Sequence, residues 1–183
     1  MFASLLRALG YEVTMLAARV HRPDGSFGPL FDHLTLRVDL DEPWLVDVGF
    51  GRHAYYPLRA DSVAPQQDPS GVYEVRAAAD GDTDLVFDGT PAFRMEARPR
   101  VLEDFEPTCW WQETAPESHF TQSLTCSMLD GDGRVTISGD RLIRTTGESR
   151  VEETLNGDAA VLDAYRTIFG FELDRMPRLR DAS

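Results

Sequence analysis

Residues 2–20 read Phe2-Ala3-Ser4-Leu5-Leu6-Arg7-Ala8-Leu9-Gly10-Tyr11-Glu12-Val13-Thr14-Met15-Leu16-Ala17-Ala18-Arg19-Val20. Up to Gly10 the apolar side chains Phe2, Leu5, Leu6 and Leu9 recur at helical spacing, and Gly10 is placed to end the helix. From Tyr11 onward the pattern gives way to runs that alternate or are continuously apolar, the period of strands. Two helical turns are marginal alone in water. The opening helix therefore reads as the end of a longer amphipathic element, with Phe and Leu left exposed and a surface for self-association.

Outward from that junction, apolar runs at residues 13–20, 33–38, 44–48, 72–77, 85–87 and 93–97 are separated by turn formers such as Arg22-Pro23-Asp24-Gly25 and Ala79-Asp80-Gly81-Asp82. This is a meander of antiparallel strands, closed or nearly closed. Residues 60–71, with Pro65, Gln66, Gln67 and Pro69, read as a mobile surface loop. Residues 102–112 have helical spacing through Leu102, Phe105 and Cys109, against which Pro107 argues. Short strands at 124–129, 135–138 and 141–145 follow, joined by tight hairpins. Asp158 caps a final helix through Val161, Leu162, Tyr165, Ile168 and Phe169 that stops at Gly170.

Composition narrows the function classes. A chain of 183 residues with 42% apolar residues buries one sizeable core. Eighteen Lys and Arg against 31 Asp and Glu, a net charge of -13, exclude a nucleic-acid partner, which needs a basic surface. No apolar run reaches the roughly 18 residues that span a bilayer. Met1 to Gly10 lacks the charged flank and cleavage site of a signal peptide, so the chain reads as cytoplasmic. Cys109 and Cys126 lack zinc or redox spacing and read as buried thiols. The histidines show no metal-binding grouping: His21 and His53 sit in loops, and His119 reads as a surface residue. Trp110 and Trp111 read as core anchors, and Ser118 and Thr121 as caps.

Two residues carry chemistry. His33 heads a strand, and Asp47 lies in the run Trp44-Leu45-Val46-Asp47-Val48-Gly49-Phe50-Gly51, where an unpaired carboxylate is costly. His33 is either a structural strand-edge histidine or a base that takes a proton near pH 7. Asp47 is either a turn-capping acid before Gly49 or the acceptor of the imidazole N–H. Phe50, between two glycines, can be projected into a cleft. A nucleophile should precede this pair, yet residues 1–32 hold no cysteine, and their serines are Ser4 on the opening helix and Ser26 beside the Arg22-Pro23-Asp24-Gly25 turn.

The ordered segments resemble the arylamine N-acetyltransferases. That family carries R-G-G-x-C, a helix ending L-x-x-L-G, a strand ending A-R-V, then H-x-x-L-x-V, D-V-G-F-G and a later S-P-x-S-x-F. Here these stand as Leu6-Arg7-Ala8-Leu9-Gly10, Ala18-Arg19-Val20, His33, Asp47 and Ala115-Pro116-Glu117-Ser118-His119-Phe120, with likeness running from Phe2 to about Leu179. The resemblance implies an α+β fold of the cysteine-protease-like triad kind. Its expected parts are a remnant of an N-terminal helical domain (residues 1–11), an antiparallel β-barrel carrying His33 and Asp47 (12–113) and a C-terminal strand-and-helix lid (114–183). It further implies acetyl transfer from acetyl-CoA to an arylamine or arylhydrazine through a Cys-His-Asp triad, without a metal. Val20, Phe50 and Phe120 become the apolar substrate pocket, with plain core packing as the other reading of Val20. The pattern puts the nucleophilic cysteine a handful of residues before Met1, so the expectation is a truncated, inactive acyl-transfer centre. The competing expectations are an amide synthase releasing polyketide macrolactams and a non-catalytic acyl-CoA-binding remnant.

Overall fold

The computed structural model describes residues 1–51, 54–147 and 149–179. The chain forms two units, Met1–Cys109 and Trp110–Ser183. In the first, helix α1 (Phe2–Ala8) leads into strands β1 (Glu12–Val20), β2 (His33–Asp39), β3 (Pro43–Val46), β4 (Leu58–Arg59), β5 (Gln66–Asp68), β6 (Gly71–Ala77), β7 (Thr83–Phe87) and β8 (Thr90–Arg100). They make one antiparallel sheet in the order β4-β3-β2-β1-β8-β7-β6-β5.

The sheet curls into a near-closed barrel around a predominantly apolar face. Ala18, Leu45, Leu58, Tyr73, Val75, Leu85, Phe93 and Met95 form the buried core. Alternation along each strand sends the intervening residues to the other face. The two edge strands are joined by a side chain. The Gln66 amide oxygen accepts from Arg59 N–H (2.6 Å) and its NH2 donates to Arg59 C=O (3.0 Å), standing in for a strand pair. Asp68 Oδ2 accepts from the amides of Tyr55 (2.9 Å) and Tyr56 (3.1 Å). The stretch read as a mobile loop therefore contains β5, ordered by side-chain-to-backbone bonds that no hydrophobic period announces.

On α1 no residue is buried; Leu5 and Leu9 stand exposed, and Phe2 and Leu6 are half-buried. The helix stops through Gly10, whose φ of 91° suits glycine. After β8, a 3-10 turn at Leu102–Phe105 runs into helix α2 (Glu106–Thr114). Pro107 is tolerated because it lies in the first turn, where its missing N–H costs nothing. Nothing on α2 is buried, which corrects two expectations: Cys109 is exposed, and Trp110 and Trp111 are surface residues rather than core anchors.

The second unit carries helix α3 (His119–Gln122), strands β9 (Thr125–Asp130), β10 (Gly133–Ser138), β11 (Arg141–Thr146) and β12 (Ser149–Thr154), and helix α4 (Asp158–Phe169). Its sheet runs β12-β11-β10-β9, antiparallel throughout. Val135, Ile137 and Leu142 of the sheet pack with Val161, Ala164 and Tyr165 of α4. Every residue of β12 is exposed, so this edge strand has no buried face to give it a pattern. Asp158 is the first helical residue rather than the cap, which is Gly157; Gly170 closes the helix in the left-handed conformation. Among the described residues no helix is long and apolar enough to cross a membrane.

Candidate active site

Strands β1 and β2 pair so that Ala18 lies opposite His33. Ala18 faces the barrel core, so His33 enters from that side, with Leu34 and Leu36 on the other. Strand β3 pairs Val46 with Leu36 and ends there. Asp47, the next residue, folds over the following turn: its Oδ1 accepts from the amides of Gly49 (2.9 Å) and Phe50 (3.2 Å). Gly51, at φ 77°, completes the bend. The other oxygen, Oδ2, lies 2.5 Å from His33 Nε2. The carboxylate thus caps its own turn and accepts from the imidazole at once.

The electrostatics follow from burial. The Asp47 side chain is 1% exposed and that of His33 10%. A carboxylate so deep is costly unless its oxygens are served, and three donors serve this one. An ionised carboxylate only accepts, so the shared proton resides on Nε2. That leaves Nδ1 as the nitrogen with a lone pair, and it has no hydrogen bond among the described residues. The imidazole is held by its far nitrogen.

Rings wall the imidazole. Phe50 lies 4.9 Å from it and Phe93 5.0 Å, and the two phenyl rings meet edge to face at 4.8 Å. Phe93 is fully buried and was not singled out from sequence, where it is one apolar residue in an apolar run. Val20 sits opposite Phe93 in the register, half-buried. Phe120 belongs to the second unit, on α3, and is exposed, with the His119 ring 3.9 Å away. Ser118 caps that helix, donating to Gln112 C=O (2.8 Å) and accepting from Phe120 N–H (3.3 Å). His53 lies outside the described residues.

A cavity of about 240 Å³ reaches Asp47 from the opposite face of β2, lined by Phe2, Ser4 and Arg7 of α1 and by Leu34 and Leu36, without His33. Neither cysteine has the setting of a reactive thiolate. Cys126 is half-buried on β9 and burial pushes its thiol up, while Cys109 sits on the exposed α2. Among the described residues no three His, Cys, Asp or Glu side chains gather as a metal site.

A second histidine–carboxylate pair occupies the same unit. His21 Nε2 lies 3.1 Å from Asp84 Oδ1, and Arg94 reaches both Asp84 oxygens at 2.8 and 2.9 Å. The Arg94 bond, more than any other contact, holds the Asp84 carboxyl below its ordinary range. The Phe27 ring packs on His21 at 4.4 Å, with the guanidinium groups of Arg19 (4.9 Å) and Arg94 (5.0 Å) over the ring.

The N-acetyltransferase family model matches residues 1–178. The arylamine N-acetyltransferase of Mycolicibacterium smegmatis is 30% identical over 178 residues, 92% of this chain and 65% of the relative. An N-malonyltransferase, FDB2, of Gibberella moniliformis is 26% identical over 198 residues, covering 88% of this chain and 56% of its own. The structure of the Mycobacterium marinum arylamine N-acetyltransferase in complex with CoA superposes with a TM-score of 0.82 at 28% identity, over 93% of this chain and 66% of that one. The chain spans less than two thirds of these relatives' length. By sequence and by fold, the chain is a member of the arylamine N-acetyltransferase family.

Proposed function

We propose that His33 and Asp47 are the base and the orienting acid of a thiol-dependent acyl-transfer centre that moves acetyl from acetyl-CoA to an arylamine or arylhydrazine. The observation that carries this reading is the His33–Asp47 hydrogen bond, which commits Nε2 and leaves Nδ1 open. In the first half-reaction Nδ1 takes the proton of a cysteine thiol. The thiolate attacks the thioester carbonyl, the bond to the coenzyme A sulfur breaks, and coenzyme A leaves with the proton. In the second, the amine attacks the enzyme thioester, its proton passes through His33 to the departing cysteine sulfur, and the amide is released. Asp47 fixes the tautomer throughout and stabilises the imidazolium. Phe50 and Val20 supply an apolar wall for the acyl group and the aromatic amine.

Coenzyme A as the donor group is supported by the CoA-bound relative, and the N-malonyltransferase relative widens the acyl group beyond acetyl. The only two cysteines are Cys109 and Cys126, so the acyl-enzyme calls for a thiol from outside these 183 residues. Losing the nucleophile of a hydrolase triad costs about a millionfold in turnover. The 183-residue chain alone is therefore expected to acetylate arylamines negligibly. Joining the R-G-G-x-C-bearing opening part of the M. smegmatis relative ahead of Met1 should restore turnover. In that hybrid, His33→Ala should lower it again by about a thousandfold. Equal rates for the chain and the hybrid would overturn the proposal. The same lack of a suitable thiol favours a second reading, an acyl-CoA-binding module without turnover. Saturable coenzyme A binding by the chain, with a hybrid that stays inactive, would select it.

A further inference from the structure

The three residues that precede His33 are gripped one after another, each by a different part of the first unit. The Leu30 carbonyl accepts from Thr108 Oγ1 at 2.7 Å. The Phe31 ring meets Phe105 edge to face at 5.5 Å, and the Arg100 guanidinium lies over it at 4.9 Å. The Asp32 carboxylate accepts from Val20 N–H at 3.2 Å. Asp32 also packs against Gly28 so closely that a methyl group on Gly28 would run into its Oδ2.

Between these grips, Phe31 holds φ at 63°, the left-handed region that L-residues other than glycine, asparagine and aspartate avoid. No glycine has been placed there, so the conformation persists only because the surroundings over-determine it. The determinant is the ring: Phe105 is buried, and Arg100 is itself ion-paired to Glu96. A left-handed residue reverses the course of the chain in one step, and the step lies two residues before the imidazole.

We propose that Phe31 is a positioning residue for His33: its left-handed backbone, clamped through the ring by Phe105 and Arg100, fixes where β2 begins and so where the imidazole meets Asp47. This rests on reading His33 as the base, but it concerns the imidazole itself and needs no turnover. The 3-10 turn and the start of α2 are then part of the site's support, although neither supplies a group that touches a reacting atom.

The test is solvent exchange of the His33 Nε2–H proton by NMR in the 183-residue chain, with amides of β6 and β7 as internal reference. Phe31→Gly keeps the left-handed backbone accessible and removes the ring, whereas Phe31→Tyr keeps the ring. The glycine variant should speed Nε2–H exchange by about tenfold while the reference amides hold, and the tyrosine variant should stay within about twofold of wild type. If Phe31→Gly does not fold, Phe105→Leu removes the edge contact and carries the same expectation. Unchanged exchange in the ring-less variants, or imidazole and reference protons accelerating together, would overturn the inference and leave the His33–Asp47 reading intact. A wild-type Nε2–H with no protection would overturn both.

Discussion

The barrel unit contains two histidine–aspartate pairs, and the difference between them is what the carboxylate's remaining capacity is spent on. Asp84 faces a guanidinium that bonds both of its oxygens, and the Phe27 ring packs on its histidine. That negative charge is already matched by Arg94. Asp47 is gripped at Oδ1 by two neutral amides of its own turn. On the proposed reading these amides orient the carboxylate so that Oδ2 meets the imidazole and stabilises the imidazolium formed during proton transfer. The same two residue types make a structural clasp in one place and, on the proposed reading, a poised base in the other.

The largest expected effect breaks the second pair. In the thiol-complete hybrid, Asp47→Asn should lower kcat by about 10⁴-fold, as loss of the orienting acid does in hydrolase triads. Asp84→Asn should leave kcat within about threefold, since Asp84 touches neither the base nor its walls. Equal losses in steady-state kinetics would erase the distinction.

The next effect runs the other way. Asp84→Asn should destabilise the 183-residue chain by about 2 kcal/mol in urea unfolding at neutral pH, the scale of a hydrogen bond to a charged group. Its carboxyl is held below the ordinary 3.8 by Arg94, so that stabilisation is present above 3.8 and is lost as pH falls through the lower folded value. The gap between wild type and variant should therefore close in acid. A gap that persists or widens below 3.8 would show that the charge of Asp84 is not what stabilises the clasp.

A smaller effect tests the frame both pairs share. Gln66→Ala removes the two side-chain bonds across the barrel seam and should cost about 1–2 kcal/mol in the same unfolding experiment. No loss of stability would mean that the barrel holds its edges without the seam.

Much of this was legible in the residues because it depends on period and on spacing along one chain. The change at Gly10, the strands from Val13 to Ala97 and the helix ending at Gly170 all follow from where apolar side chains recur. Asp47 stood out because a charged group in an apolar run must be answered by a partner, and His33 through its place among the segments that resemble the family. What escaped reading has other causes. Strand β5 is ordered by Gln66 and Asp68 through backbone contacts, and β12 has no buried face. Trp110, Trp111 and Cys109 were assigned to the interior on residue type alone, yet α2 buries nothing. Phe93 and Phe31 matter through ring contacts with residues far from them in sequence, a relation that no local pattern carries.

The central claim is that Asp47 holds the Nε2–H of His33 and leaves Nδ1 as the base. Nitrogen-15 NMR of the imidazole in the 183-residue chain, above the histidine titration range, reads this directly. The account expects a protonated, pyrrole-type Nε2 and an unprotonated, pyridine-type Nδ1, with that preference lost in Asp47→Ala. A protonated Nδ1 in the wild-type chain, or a tautomer indifferent to Asp47, would contradict it.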